Sequence, residues 1–241
     1  MLDFFRKFLE ICLMKKPVIA IDGFSSTGKS SISKIIAEKL GIVHLDTGAL
    51  YRGITWFALQ NCMDEDGTIN LPLLFKSFHL IDLEFKKEED ELILLLNHIN
   101  ISKEIRSNEV SENVSLIAKQ KEVRDFLLDA QRLIAKNGGV IMDGRDIGTV
   151  VLPDADFKFF LTASIDERTK RRYSELLSLG IEADEAHVKE NLIERDRIDS
   201  EREISPLRQA EDAILIDNTN LTKSQTIESI LQYLTKINNF Y

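Results

Sequence analysis

Five short apolar runs stand out along the 241-residue chain, each bounded by polar or glycine-containing turns. They are PVIAID from Pro17 to Asp22, IVHLD ending at Asp46, GGVIMDG from Gly138 to Gly144, FKFFLTAS from Phe157 to Ser164, and AILIDN from Ala213 to Asn218. Their continuous rather than alternating apolar character marks strands buried on both faces. Between them the apolar positions switch to helical spacing. Ile32, Ile35, Ile36 and Leu40 share one face before Gly41 stops the pattern, and Leu50, Ile54, Phe57 and Ala58 share one face of the next segment. Strands alternating with helices predict an α/β fold with a five-stranded parallel sheet and helices on both faces.

Two stretches break the alternation. Between Leu71 and Arg106, FHLIDLEF, ELILLLN and HINIS read as three short strands separated by the charged turn KKEED. They lie too close together for crossover helices, so they predict a small antiparallel insertion. Ser107 to Asn137 reads as two helical pieces joined near Gln120 and Lys121, Ile165 to Arg202 as a charged helical stretch, and Ser224 to Asn239 as a last amphipathic helix. The expected organisation is a core of residues 14–70, 107–164 and 205–241, an insertion at 71–106 and a helical segment at 165–204. Residues 1–13 precede the core. They are apolar on one face and lack the basic leader and small-residue cleavage site of a secretory signal, so they read as a helical extension, or as lying upstream of a start at Met14.

Composition narrows the partners. A formal charge of −9 argues against nucleic acid or an anionic membrane as the main partner, since both need a basic footprint. No uncharged apolar stretch approaches a bilayer span. Cys12 and Cys62 have neither metal nor redox spacing, and no disulfide is expected. A cytoplasmic protein fits these features. His44, His79, His98 and His187 show no ligand spacing and read as surface or core residues.

The chemistry begins at GFSSTGKS, which matches G-x-x-x-x-G-K-[ST] and stands after a buried strand and before a helix. A polyphosphate cradle needs inward-facing backbone N–H groups, hence small residues and glycines. Gly23, Phe24, Ser25, Ser26 and Thr27 would form its first half; Gly28, Lys29, Ser30 and Ser31 would carry it into the helix N-terminus. Lys29 is expected to reach the β- and γ-phosphates of ATP, and the Ser30 hydroxyl to take a place on Mg²⁺. A serine-rich turn whose glycines serve only geometry would not require the strand before and the helix after.

A second polar set lies at other strand ends: Asp46, Thr47, Tyr51 and Arg52 in LDTGALYR, and Asp143, Arg145 and Asp146 in VIMDGRDIGT. Open α/β sheets bind ligands at such carboxyl ends. Asp46 or Thr47 could equally cap the helix that follows. No N-K-x-D guanine reader is present, which weakens a GTPase reading. IDGFSSTGKSS, LDTGALYR, EIRSNEVSENVS, VIMDGRDIGTVVLPDADFKFFLTAS and ERDRIDSER together resemble the bacterial cytidylate kinases, in order from about Val18 to the C-terminus. The resemblance implies phosphoryl transfer from ATP to CMP and dCMP with Mg²⁺, by a monomer. It implies that Thr47, Arg52, Ser115 and Arg124, with Arg145, Asp146 and Arg195, hold the acceptor nucleotide. Ser115 and Asp146 would read the base or sugar, and Arg52 and Arg145 would grip the α-phosphate. One departure is Ser26, where the family usually has glycine.

Eight of thirteen arginines fall between Arg145 and Arg208 in an otherwise acidic chain. Solvated i,i+4 ion pairs account for part of this. The functional reading is a helical lid in which Arg168, Arg172, Arg195 and Arg202 recur at one or two turns, as a clasp over a charged transition state requires. The resemblance favours Arg195 and Arg202 most, then Arg172. Two rivals remain: a related kinase of another small acceptor, UMP or a coenzyme precursor, and a nucleotide-dependent binding switch.

Overall fold

The computed structural model describes residues 16–88 and 91–237, so the expectations for residues 1–13 and for Cys12 lie outside the described residues. The chain divides into two compact units. One comprises residues up to Leu45, Arg132–Glu201 and the chain from Ser205; the other is Asp46–Gln131 with Arg202–Ile204.

The first unit is built on a five-stranded parallel sheet. Its strands are β1 (Val18–Gly23), β2 (Val43–Asp46), β6 (Val140–Gly144), β7 (Phe157–Thr162) and β8 (Ile214–Asp217), in the spatial order β2-β6-β1-β7-β8. Ile19 and Ile21 of β1 project to one face and join Ile141, Phe159, Leu161 and Ile216 in a single apolar cluster. Helix α1 (Lys29–Leu40) contributes Ile32, Ile36, Ala37 and Leu40 to that cluster, and helix α8 (Lys223–Ile237) contributes Ile227, Ile230, Leu231 and Leu234. Ala20 and Met142, on the opposite face, are also fully buried, which accounts for the unbroken apolar runs. Helices α6 (Ile165–Ser178) and α7 (Glu185–Glu201) form a small cluster of their own around Leu176, Val188 and Leu192. Ser164 caps α6 through the Glu167 N–H at 3.3 Å, and Asp166 and Glu167 suit the helix's positive end.

The second unit packs α2 (Thr47–Asn61), α4 (Asn108–Ala118) and α5 (Lys121–Ala135) with an antiparallel sheet of β3 (Leu83–Glu88), β4 (Glu91–Leu96) and β5 (Ile99–Asn100). Its core includes Ile54, Phe57, Leu74, Leu94, Ile101 and Ile117. The insertion differs from expectation in two places. A short helix, α3 (Leu71–Lys76), opens it, capped by the Asn70 side chain on the Leu73 N–H at 2.8 Å, and Phe78–Leu80 form a 3₁₀ turn where a strand was expected. Asn97 holds that turn out of the sheet, donating to the Leu80 carbonyl and accepting from the Asp82 N–H, both at 2.9 Å. The ladder also runs through the charged residues to Glu88 opposite Glu91, which shortens the connection expected at KKEED. Among the described residues no helix is long and apolar enough to cross a membrane.

Candidate active site

Two adjacent strand ends organise the first unit's site. β1 and β6 pair in parallel with Ile21 opposite Asp143 and Asp22 opposite Gly144, so the loop after β1 and the turn after β6 leave the sheet side by side. The chain's path reverses here: it runs from β1 outward to β2, and after β6 crosses to β7 on the other side of β1. Ligands of open α/β sheets bind at such a switch point.

The loop from Gly23 to Ser31 is held from within. A Cβ on Gly23 would lie 2.0 Å from the Leu161 carbonyl oxygen, so only glycine lets β1 leave beside β7. The Phe24 carbonyl accepts from Thr27 Oγ1 at 3.0 Å and from Lys29 Nζ at 2.6 Å, which folds the buried Lys29 over the loop. Ser31 Oγ donates to the Gly28 carbonyl at 3.1 Å, and Ser25 is buried. The Phe24 ring meets Phe160 edge-on at 5.9 Å, and the Arg168 guanidinium lies 5.2 Å from its centre. Arg168 also donates to the Ala163 carbonyl at 3.0 Å and to Asp196 at 2.6 Å, so its charge is turned to the loop and to α7.

Ser30, in the first turn of α1, donates its hydroxyl to Asp143 Oδ2 at 2.7 Å, while His44 Nε2 donates to Asp143 Oδ1 at 2.6 Å. Sequence reasoning grouped Asp143 only with the second polar set; the structure joins it to the first. The available signal was a buried apolar strand ending in aspartate, the acid that accompanies such loops. His44, read as an ordinary surface or core residue, reaches the same carboxylate.

Asp22 was not singled out from the sequence. It is buried beside the loop and accepts the N–H groups of Ile147 and Gly148, each at 2.7 Å. Those residues begin a π-helical turn, Ile147–Val151, in which the Asp146 carbonyl accepts from the Val151 N–H at 3.1 Å. Asp22 therefore seats the turn that follows Arg145 and Asp146. Burial pushes its carboxyl up to about 7, against the two N–H donors that favour the charged form. Asp146 is buried, and Arg145 Nε donates to Asp199 at 2.9 Å. Burial opposes the charge on Arg145, yet Asp199, Asp196 and Asp143 together hold its pKa above the ordinary arginine value. Arg172 pairs with Glu175 at 2.9 Å on α6, and Arg195 is half-buried on α7.

The remaining candidates lie in the second unit. Asp46 accepts from the Ala49 N–H at 3.2 Å, so it does cap α2, and it also pairs with Arg52 at 2.7 Å. Thr47 and Ser115 are buried. Arg124 is buried with its guanidinium 5.4 Å from the centre of the Tyr51 ring, donating to the Ala118 carbonyl at 3.2 Å. Arg202, also buried, belongs to this unit.

The family model for cytidylate kinase matches residues 19–236. The chain belongs to the cytidylate kinase family. It is 49% identical over 221 residues to the cytidylate kinase of Lactococcus lactis, covering 92% of this chain and 96% of the relative. It is 47% identical over 225 residues to that of Streptococcus thermophilus, covering 93% and 98%, and 44% identical over 218 residues to that of a Geobacillus species, covering 90% and 96%. Within the cytidylate kinase family the departure at Ser26 now has a physical meaning. Its φ is 59°, in the left-handed region where a side chain costs energy and glycine does not.

Proposed function

We propose that this cytidylate kinase family member transfers the γ-phosphoryl group of ATP to CMP and dCMP, giving ADP and the nucleoside diphosphate. The observation that carries this reading is the 2.7 Å bond between Ser30 and Asp143, which links a phosphate-binding loop to the strand end bearing Arg145 and Asp146. The names of the close relatives supply the acceptor.

An oxygen of the CMP phosphate attacks the γ-phosphorus as the bond to the β-bridging oxygen breaks. That oxygen is already a competent nucleophile, so the residues contribute position and charge. Lys29 would leave the Phe24 carbonyl for the β- and γ-phosphates, and the N–H groups of the loop would cradle them. Arg145 and Arg52 would bind the acceptor's phosphate, and Asp46, Thr47, Ser115, Arg124 and Asp146 would orient its nucleoside. Arg172, Arg195 and Arg202 would meet charge on the moving group. Residues 165–204 would act as a lid that keeps water from the γ-phosphate. The Ser30 hydroxyl and Asp143 carboxylate converge as hard oxygen donors, a fit to Mg²⁺. Ser30 and Asp143 would hold the ion, which would supply positive charge to offset that of the phosphate groups.

A panel of CMP, dCMP, UMP and AMP in a coupled assay of ADP production tests the proposal. CMP should be turned over fastest among the ribonucleotides. Equal or better turnover of UMP or AMP would reassign the acceptor, and ATP binding without any CMP dependence would make the protein a switch.

A further inference from the structure

Asn218, just beyond β8, uses every polar group it has. Its N–H donates to the Thr162 carbonyl at the end of β7, at 2.9 Å. Its side-chain Nδ2 donates to the Thr27 carbonyl in the loop, also at 2.9 Å. Its Oδ1 and backbone carbonyl accept from Arg171 Nη1 and Nη2 at 3.0 and 2.9 Å. The orientation of the amide is fixed by its partners, since a guanidinium can only donate and a carbonyl only accept. The residue is 1% exposed, so no solvent competes for these bonds.

The bond to Thr27 falls at a sensitive point. Among the described residues the peptide bonds are trans, so the Gly28 N–H is antiparallel to the Thr27 carbonyl and is turned away from Asn218. Gly28 has φ 87°, and glycine's tolerance of alternative φ and ψ makes the peptide before it the easiest in the loop to rotate. Such a rotation would exchange an N–H for a carbonyl oxygen on the side that meets an anion. The adjacent Phe24 carbonyl is already held by Thr27 Oγ1 and Lys29.

We propose that Asn218 is a positioning residue for the donor triphosphate, a latch that prevents the Thr27–Gly28 peptide from turning its carbonyl into the phosphate cradle. The inference rests on the reading of Gly23–Ser31 as the ATP loop. Asn218→Asp separates the roles of the side chain: it keeps an acceptor for Arg171 but removes the donor and sets an oxygen against the Thr27 carbonyl. Calorimetric ATP binding should weaken about tenfold or more, and the KM for ATP should rise in proportion, while the KM for CMP stays within about twofold. Arg171→Gln, which leaves the latch in place, should change ATP affinity by less than about threefold. If Asn218→Asp binds ATP normally, or loses ATP and CMP affinity equally, or is matched by Arg171→Gln, the latch is overturned. Lys29→Ala serves as the control. If that variant also binds ATP normally, the donor-loop reading fails; if it loses ATP while Asn218→Asp does not, only the latch fails. Should Asn218→Asp fold poorly, Asn218→Ser with the same two affinities decides the matter, an ATP-selective loss supporting the latch and an equal or absent loss overturning it.

Discussion

Alanine at Gly23 should cost the fold several times more than alanine at Gly28, although both are fixed glycines of one motif. At Gly23 the added Cβ would lie 2.0 Å from the Leu161 carbonyl oxygen and 2.9 Å from its carbon. Ordinary contact begins at 3.4 Å, so the obstacle must retreat by more than 1 Å. That obstacle is backbone, and Leu161 is the parallel-ladder partner of Gly23, so the retreat would open the β1–β7 ladder where the loop begins. Overpacking of this kind costs about 1–3 kcal/mol, and a left-handed φ about 1–2 kcal/mol more. The sum, about 2–5 kcal/mol, is a large share of a domain's usual stability of about 5–15 kcal/mol. At Gly28 the nearest atom to a Cβ is the tip of Ile32 at 3.5 Å, which is ordinary contact. Only the φ of 87° remains unfavourable, worth about 1 kcal/mol. Urea unfolding of both variants, followed by far-ultraviolet circular dichroism, measures the difference. Equal losses, or a loss below about 1 kcal/mol for Gly23→Ala, would refute the reasoning that strand contact rather than loop flexibility demands this glycine.

Three further outcomes are expected. Ser26→Gly removes a side chain at φ 59° and should change stability by no more than about 1 kcal/mol, in the stabilising direction; a clear loss in urea unfolding would show that Ser26 makes compensating contacts. Between about pH 4 and 7 the folded state holds a proton on Asp22 that the unfolded state has released, so wild-type stability should fall as pH rises through that window, by up to about 4 kcal/mol. Unfolding midpoints for Asp22→Asn should lack that part of the slope, and a parallel pH profile would place its origin elsewhere. Arg145→Ala should raise the KM for CMP about 10- to 100-fold with a much smaller change for ATP, and equal losses on both substrates would move Arg145 to the donor side.

Much of the fold was legible in the sequence because its signals are local. The β1 run, the spacing of Ile32, Ile36 and Leu40, and the glycines and lysine of the loop all lie within some twenty residues of one another. The features that were missed depend on partners distant in the chain. Asp22 bonds to residues 125 and 126 positions away, and Asn218 to one 191 positions away. Neither leaves a periodic trace. The insertion was misread at Phe78–Leu80 for the same reason, since the Asn97 side chain that fixes this turn belongs to a later strand end. Ser30, by contrast, was correctly placed at the start of α1, but its partner Asp143 became apparent only with the strand order that makes β1 and β6 neighbours.

The bonds made by buried Arg168 and half-buried Arg171 have a consequence for motion. Arg168 binds the Ala163 carbonyl and stacks on Phe24, and Arg171 grips Asn218, so the first two turns of α6 are fastened to the phosphate loop and the sheet. If residues 165–204 close over a substrate, the hinge must lie beyond Arg171, and α6 cannot swing from its N-terminus. The arginines nearest the start of the helix then act as its anchor bolts, leaving the moving part to begin near Arg172.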